Sequence, residues 1–345
     1  MNNVNKRRKI RVLVVDDSLL FRETIARGIS LDEGIEVVAS ASDVFSARDK
    51  IIQFRPEVMT LDIEMPKMNG IEFLRKLMPQ YPIPVVVVSA VNETVFEAMD
   101  AGAVDFVSKP NADNLIGLEG LINELIIKIK VASTAKLGNW KQIQSNSRRT
   151  TLCPKIFKNI IAIGASTGGT EALYNIIKSF PRDMPGIVIT QHMPPVFTNI
   201  FAKRLDNGCQ LEVREAKDGD KLYQGLALIA PGDSHMRLKK SGTEYYVECF
   251  KGEKVNGHCP SVDVLFESVA QTVKKDAIGI ILTGMGYDGA KGLLSMRKNG
   301  ARTIGQDEKS CVIYGMPKVA YNIGAVEQQA SLEKIPSIVY SLLNI

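Results

Sequence analysis

Short apolar runs, each closed by polar or turn residues, recur along the chain. In its first third they are "KIRVLVV", "IEVVASA", "EVMTLDI", "PVVVVSA" and "AVDFVSK", with stretches of helical period between them. Runs this short and this continuous predict strands buried on both faces, and their alternation with helices predicts a doubly wound five-stranded α/β domain. Farther on, "NIIAIGA" leads into a glycine turn and then Ala172, Leu173, Ile176, Ile177 and Phe180 at helical spacing. "GIVITQH" and "AIGIILT" continue the rhythm, while "APGDSHMRL" reads as a turn between antiparallel strands. A second, mainly parallel α/β domain with an antiparallel hairpin is therefore expected. Between the two lies "ASTAKLGNWKQIQSNSRRTTLCP", residues 132 to 154, polar, without sustained period and holding the lone Trp140. It reads as a linker.

Composition agrees with two cores, because 345 residues of average apolar content exceed what one core usually organises. No apolar run approaches the ~18 residues of a membrane span. The start, "MNNVNKRRKIRVLVV", passes into a strand-like run without a cleavage-type pattern, so a cytoplasmic chain with no membrane insertion is expected. The five cysteines are odd in number, scattered and without CxxC, which favours free thiols over disulfides or zinc. A net charge of +5, spread apart from "NKRRK" and "SRR", gives little ground for a nucleic-acid partner.

The chemistry-bearing residues of the first domain fall at one edge. Asp16 and Asp17 end the first predicted strand, Asp62 the third, Ser89 the fourth and Lys109 the fifth. Open parallel sheets bind ligands at this carboxyl edge. Singly, an Asp-Asp pair is a solvated turn, Ser89 a cap and "KP" a loop start. Jointly, three converging carboxylates repel one another and require a cation, for which Mg²⁺ with oxygen ligands is the natural choice. A lysine and a hydroxyl opposite them suit a phosphoryl group.

"VVDDS", "LDIEMPKMNG", "VVSA" and "VSKP" resemble, in order and spacing, the receiver domains of two-component response regulators, over about residues 9 to 128. The resemblance implies a flavodoxin-like domain in which Asp62 accepts a phosphoryl group from a sensor histidine kinase. It implies Mg²⁺ held by Asp17, Asp62 and the backbone carbonyl of Glu64, with Asp16 acting largely through water. Lys109 and Ser89 would contact the phosphoryl oxygens, and Phe106 would be the aromatic that turns inward with them. Most such receivers drive a DNA-binding output, yet no compact three-helix pattern with a basic recognition helix follows here.

"NIIAIGASTGGTEAL" poses a choice between a phosphate-binding turn and a nucleophile. A dinucleotide site wants GxGxxG and an acidic residue about 20 positions on. Here Ser166 replaces the second glycine, and the next strand ends in Gln191 and His192. What remains, Gly164-Ala165-Ser166-Thr167-Gly168, matches GxSxG on a strand-turn-helix, the setting that exposes a nucleophilic serine. Its base must be His192, His235 or His258. His192 leaves the same sheet edge if the two strands are neighbours, ~4.8 Å apart. His235 sits in a glycine-proline turn and reads as structural or pocket-lining, and His258 beside Cys259 admits a Cys-His pair. Asp288, after "AIGIILT", suits the orienting carboxylate, although an N-cap of the helix at "GAKGLL" is its ordinary reading. Asp218, Asp220 and Asp233 are alternatives in turn-like segments. Glycines 284, 286 and 289 leave the Met285 amide free as an oxyanion donor.

"IGASTGGTEAL", "TQHMPPVFT", "APGDSHM", "PSVDVLF" and "LTGMGYDGAKG" resemble the catalytic domain of CheB-type chemotaxis protein-glutamate methylesterases. The resemblance implies Ser166 as nucleophile, His192 as base and Asp288 as orienter, with Thr167 and Met285 around the oxyanion and no cofactor for the ester step. It implies hydrolysis of glutamate methyl esters on chemoreceptors, with deamidation of selected glutamines in many relatives. Cys259 is a departure, since members commonly carry Arg there. The expected division is a receiver at 9–128, a linker at 129–154 and an esterase domain at 155–345. A receiver joined to an inactive esterase-like binding module is the remaining alternative.

Overall fold

The computed structural model describes residues 8–66, 68–90, 94–110, 117–135 and 158–344. Residues 136–154 of the expected linker, Trp140 among them, lie outside the described residues. The chain divides into two compact units, Met1–Trp140 and Lys141–Ile345.

In the first unit the five apolar runs form β1 (Ile10–Val15), β2 (Ile35–Ala41), β3 (Val58–Asp62), β4 (Val85–Ser89) and β5 (Asp105–Ser108). They make one parallel sheet in the order β2-β1-β3-β4-β5. Every residue of β3 and β4 is buried, which is why their sequences show no alternation. The connecting helices are α1 (Leu19–Ser30), α2 (Val44–Phe54), α3 (Gly70–Leu77), α4 (Thr94–Asp100) and α5 (Leu118–Ala132). Short polar side chains start three of them: Ser18, Asp43 and Asn69 accept backbone N–H groups of the first turn. α1 and α5 pack together so closely at Gly28 that a Cβ there would lie 2.7 Å from the Ile122 side chain.

The second unit begins with β6 (Ile160–Ala165), α6 (Gly169–Ser179), β7 (Ile187–Gln191) and α7 (Phe197–Gly208). There follow β8 (Glu212–Glu215), β9 (Lys221–Leu222), β10 (Leu226–Ile229), β11 (His235–Ser241) and β12 (Glu244–Phe250). The remainder comprises α8 (Val262–Thr272), β13 (Ala277–Ile281), α9 (Ala290–Lys298), β14 (Arg302–Gln306), α10 (Met316–Asn322), β15 (Gln328–Ala330) and α11 (Ile335–Leu343). A seven-stranded parallel sheet runs β15-β14-β13-β6-β7-β10-β8. The expected hairpin is β11 paired along its length with β12, and β9 adds a short third antiparallel strand. α8 packs on that hairpin and on α9.

The strand order places the chemistry. From β6 the chain builds outward through β7, β10 and β8, then returns to build β13, β14 and β15 on the other side. The loops after β6 and β13 therefore diverge at a topological switch point, where open α/β sheets leave a crevice. Ser166 follows β6 directly, and Asp288 lies in the loop after β13.

Candidate active site

At the carboxyl edge of the first sheet, ligand atoms of Asp16, Asp17 and Asp62 lie within 4.8 Å of one another. Asp16 and Asp62 are buried, and Asp17 is exposed. Lys109 Nζ lies 2.6 Å from Asp62 Oδ2 and 3.1 Å from Asp16 Oδ2. Burial pushes the Asp62 carboxyl above its usual range, with Lys109 acting against that and Asp16 adding to it. The Lys109 ammonium resists its own burial through Asp62 and Asp16, and its pKa rises. Asp62 Oδ1 accepts the Glu64 N–H at 3.1 Å. Asp16 Oδ2 is thus already ion-paired with Lys109, and it is the three clustered carboxylates together that make an oxygen donor set suited to a divalent cation. Ser89, at the end of β4, is fully buried, and its hydroxyl makes no hydrogen bond either. Phe106 is buried, edge-on to Phe96 at 6.2 Å between ring centroids.

In the second unit, β6 and β7 are neighbours, with Ala165 opposite Gln191 and the His192 N–H donating to the Ala165 carbonyl at 3.1 Å. Ser166 and His192 are thus the next residues on adjacent strands. Gly284 allows the approach of the β13 loop, since a Cβ there would lie 2.6 Å from Ser166 Cβ. The Ser166 backbone is held by its N–H to the Thr283 carbonyl at 3.0 Å and by Gln191 Nε2 donating to its carbonyl at 3.0 Å. Thr167 is half-buried, with its carbonyl accepting from Thr283 Oγ1 at 3.0 Å, while Met285 is exposed.

His192 Nε2 and Asp288 Oδ2 are 2.8 Å apart. Burial alone would raise the Asp288 carboxyl, but the His192, Asn256 and Ser261 donors hold it well below the usual carboxylate range. An ionised carboxylate only accepts, so Nε2 carries the proton of this bond. The neutral ring then has its lone pair at Nδ1, which is buried and makes no hydrogen bond. The Asp288 side chain does not cap its own helix, because Gly289 holds the N-cap position of α9. It instead accepts from Val262 N–H at 2.7 Å and Asp263 N–H at 3.3 Å, the first amides of α8.

Ser261, His235 and Asp288 form an adjoining network. The Ser261 hydroxyl donates to Asp288 Oδ1 at 2.8 Å, and its N–H donates to His235 Nδ1 at 3.2 Å. His235 Nε2 donates to the Glu253 carbonyl at 2.9 Å. His235 and Ser261 are both buried. His258 stacks on His192, with ring centroids 3.7 Å apart and planes within 10°. Burial, then the neighbouring His192, lowers the His258 pKa to about 4. The Cys-His alternative loses ground, since that ring lies on His192 and burial raises the Cys259 thiol pKa. Asp218, Asp220 and Asp233 bind the Cys249 amide, the Lys217 amide and Lys251 respectively.

A family model described as CheB methylesterase matches residues 161–339. The chain belongs to the CheB methylesterase family. A response regulator receiver model matches residues 12–118 of this CheB-family chain. It is 59% identical over 337 residues to a protein-glutamate methylesterase/protein-glutamine glutaminase of Syntrophomonas wolfei, covering 98% of each chain. A protein of that name from Syntrophotalea carbinolica is 50% identical, again with 98% of each covered. Among solved structures, the CheB methylesterase catalytic domain of Thermotoga maritima superposes with a TM-score of 0.52 at 39% identity, covering 53% of this chain and 98% of that one. No helix among the described residues is long and apolar enough to cross a membrane.

Asn256, Ser261 and the stacked His258 escape a strand-end reading. All three lie in or beside the irregular segment before α8, whose sequence carries no period that would place it. Gln191 ends β7 beside His192, and that strand-end position is the signal in the sequence for its hold on the Ser166 carbonyl.

Proposed function

We propose that this chain is a phosphorylation-activated esterase that hydrolyses glutamate 5-O-methyl esters on chemoreceptors to glutamate and methanol, and deamidates selected receptor glutamines. The hydrogen bond from His192 to an ionised Asp288, one strand from Ser166, carries the reading. Ser166 Oγ attacks the ester carbonyl while His192 Nδ1 takes its proton. Amides at Thr167 and Met285, aided by the N-terminus of α6, stabilise the oxyanion. His192 returns the proton to the methoxide, which leaves as methanol, and a water activated by the same nitrogen releases glutamate and Ser166. With a glutamine, ammonia leaves in place of methanol.

The Ser261-His235-Asp288 network offers a second serine. Its hydroxyl already donates to a carboxylate and its histidine accepts from an amide, so it supports an orienting part for Ser261. Methanol release from methylated receptor fragments decides between them. Ser166→Ala is expected to abolish turnover and Ser261→Ala to retain a measurable fraction; the reverse result would move the nucleophile to Ser261.

The receiver, at 9–128 and joined through 129–154 to the catalytic region at 155–345, is proposed to take a phosphoryl group from a sensor histidine kinase onto Asp62. Asp17, Asp62 and the Glu64 carbonyl would hold Mg²⁺, with Asp16 acting through water. Once bound, the ion supplies charge neutralisation for the incoming phosphoryl group. Lys109 and Ser89 hold the phosphoryl oxygens, and Phe106 follows Ser89. These partners are proposed to be met in the cytoplasm.

A further inference from the structure

The last rung of the β6–β7 ladder pairs Ala165 with Gln191, so Ser166 and His192 both stand one residue past the sheet. The His192 N–H still reaches the Ala165 carbonyl, but the Ser166 N–H turns away to Thr283 in the loop after β13. From there the chains part, one into the turn before α6 and the other toward Pro194. Backbone pairing therefore ends just short of the two residues whose side chains must exchange a proton. The Gln191 side chain takes over. It is 3% exposed, and its Nε2 donates to the Ser166 carbonyl at 3.0 Å and to the His192 carbonyl at 3.1 Å. A primary amide nitrogen carries two protons, and both are used here. Turning the amide over would set its oxygen against two carbonyl oxygens, so its partners fix its orientation.

The other end of the amide lies against Gly169, where a Cβ would come within 2.2 Å of Oε1. Gly169 opens α6, and its own N–H donates to the Ser166 carbonyl at 2.7 Å. The glutamine is thus wedged between the turn that carries the serine and the loop that carries the histidine, with its oxygen at a helix N-terminus, which favours negative partial charge. We infer that Gln191 is a positioning residue for the ester reaction, whose amide extends the β6–β7 ladder by one rung in side-chain form and fixes Ser166 relative to His192. The inference rests on the reading of Ser166 as nucleophile and His192 as base. Because one nitrogen holds both carbonyls, neither backbone can drift from the other without breaking a buried hydrogen bond. A small misplacement of reacting groups is costly in rate, so such a tie acts on catalysis without touching substrate.

The test uses the full chain with Gln191→Met or Gln191→Asn, each made alone and in a His192→Gln background, and p-nitrophenyl acetate as a substrate reactive enough to report residual rates. Gln191→Met fills the space without donors, whereas Gln191→Asn keeps a buried amide too short to reach both carbonyls. In each single variant kcat/KM should fall about tenfold, with thermal unfolding showing that the chain is folded. In the His192→Gln background the same changes should cost less than about twofold, since a tie between nucleophile and base has nothing to align once the base is gone. An unchanged kcat/KM in a folded single variant would overturn the inference. An equal loss in both backgrounds would overturn it too, by showing that Gln191 serves the fold or Ser166 alone, as would failure of both single variants to fold. A His192→Gln chain with wild-type turnover would instead remove His192 as the base, and the tie with it.

Discussion

Because Asp288 accepts both the His192 ring N–H and two amides at the start of α8, changing it should move catalysis and folding together. Asp288→Ala is expected to lower ester hydrolysis by several orders of magnitude and to cost at least the ~1 kcal/mol of a lost helix cap, measured by denaturant unfolding. His258 carries a different prediction. Its pKa falls from 6.5 to about 4 through burial, with His192 and Lys254 acting in the same direction and Asp288 against them. Below pH 6.5 the unfolded chain takes up a proton that the native ring refuses, so this contribution to stability is full above pH 6.5 and is lost as pH falls toward 4. The loss approaches ~3 kcal/mol. His258→Phe should flatten the stability profile in that window and keep much of the activity by preserving a stacked ring. His258→Ala should flatten it too, yet lose more activity by freeing the His192 plane. Asp288, held below the usual carboxylate range, acts at lower pH, stabilising above the unfolded carboxylate pKa and losing that contribution under stronger acid.

At the scale of elements, the site depends on how closely the β6 and β13 loops approach. Gly284 is the contact, with Ser166 Cβ and the Met316 sulfur both within 2.6 Å of where a Cβ would sit. Gly284→Ala should cost roughly 1–3 kcal/mol by overpacking. It should also lower kcat by more than tenfold, since a small displacement of the nucleophile is costly. Unfolding and steady-state kinetics on one preparation check both, and retained kcat would show that the loop relaxes without moving Ser166. The β11–β12 hairpin and α8 act more indirectly. Through His235, Ser261 and the first amides of α8 they fix Asp288, which holds His192 from the far side of Ser166's strand.

For the whole molecule, the expectation concerns control by phosphorylation. Asp62→Asn should remove the stimulation of ester hydrolysis by acetyl phosphate, measured as the ratio of rates with and without it. Receiver and esterase belong to one chain, joined in sequence by the 23 residues 132 to 154, and a covalent tether keeps two partners at high effective concentration. The fragment from about residue 152 onward should therefore hydrolyse receptor esters faster than the unphosphorylated chain. A fragment no faster would rule out steric inhibition and leave stimulation by the phosphorylated receiver.

Strand positions were legible in the sequence because a strand buried on both faces has no polar positions to disguise it, as in "PVVVVSA" and "NIIAIGA". Ends of parallel strands share one edge, so Asp16, Asp62 and Lys109, like Ser166 and His192, could be grouped from chain order alone. The partners of Asp288 could not. Its local pattern matches a cap for α9, and only the return of the chain to build β13 beside β6 carries it to the amides of α8 and to His192. Asn256, Ser261 and His258 reach the site from an irregular segment, where no period constrains direction and long-range packing alone sets position. Local patterning is written in the spacing of apolar residues, whereas the company a side chain keeps depends on which strands become neighbours, and that was decided by the fold as a whole.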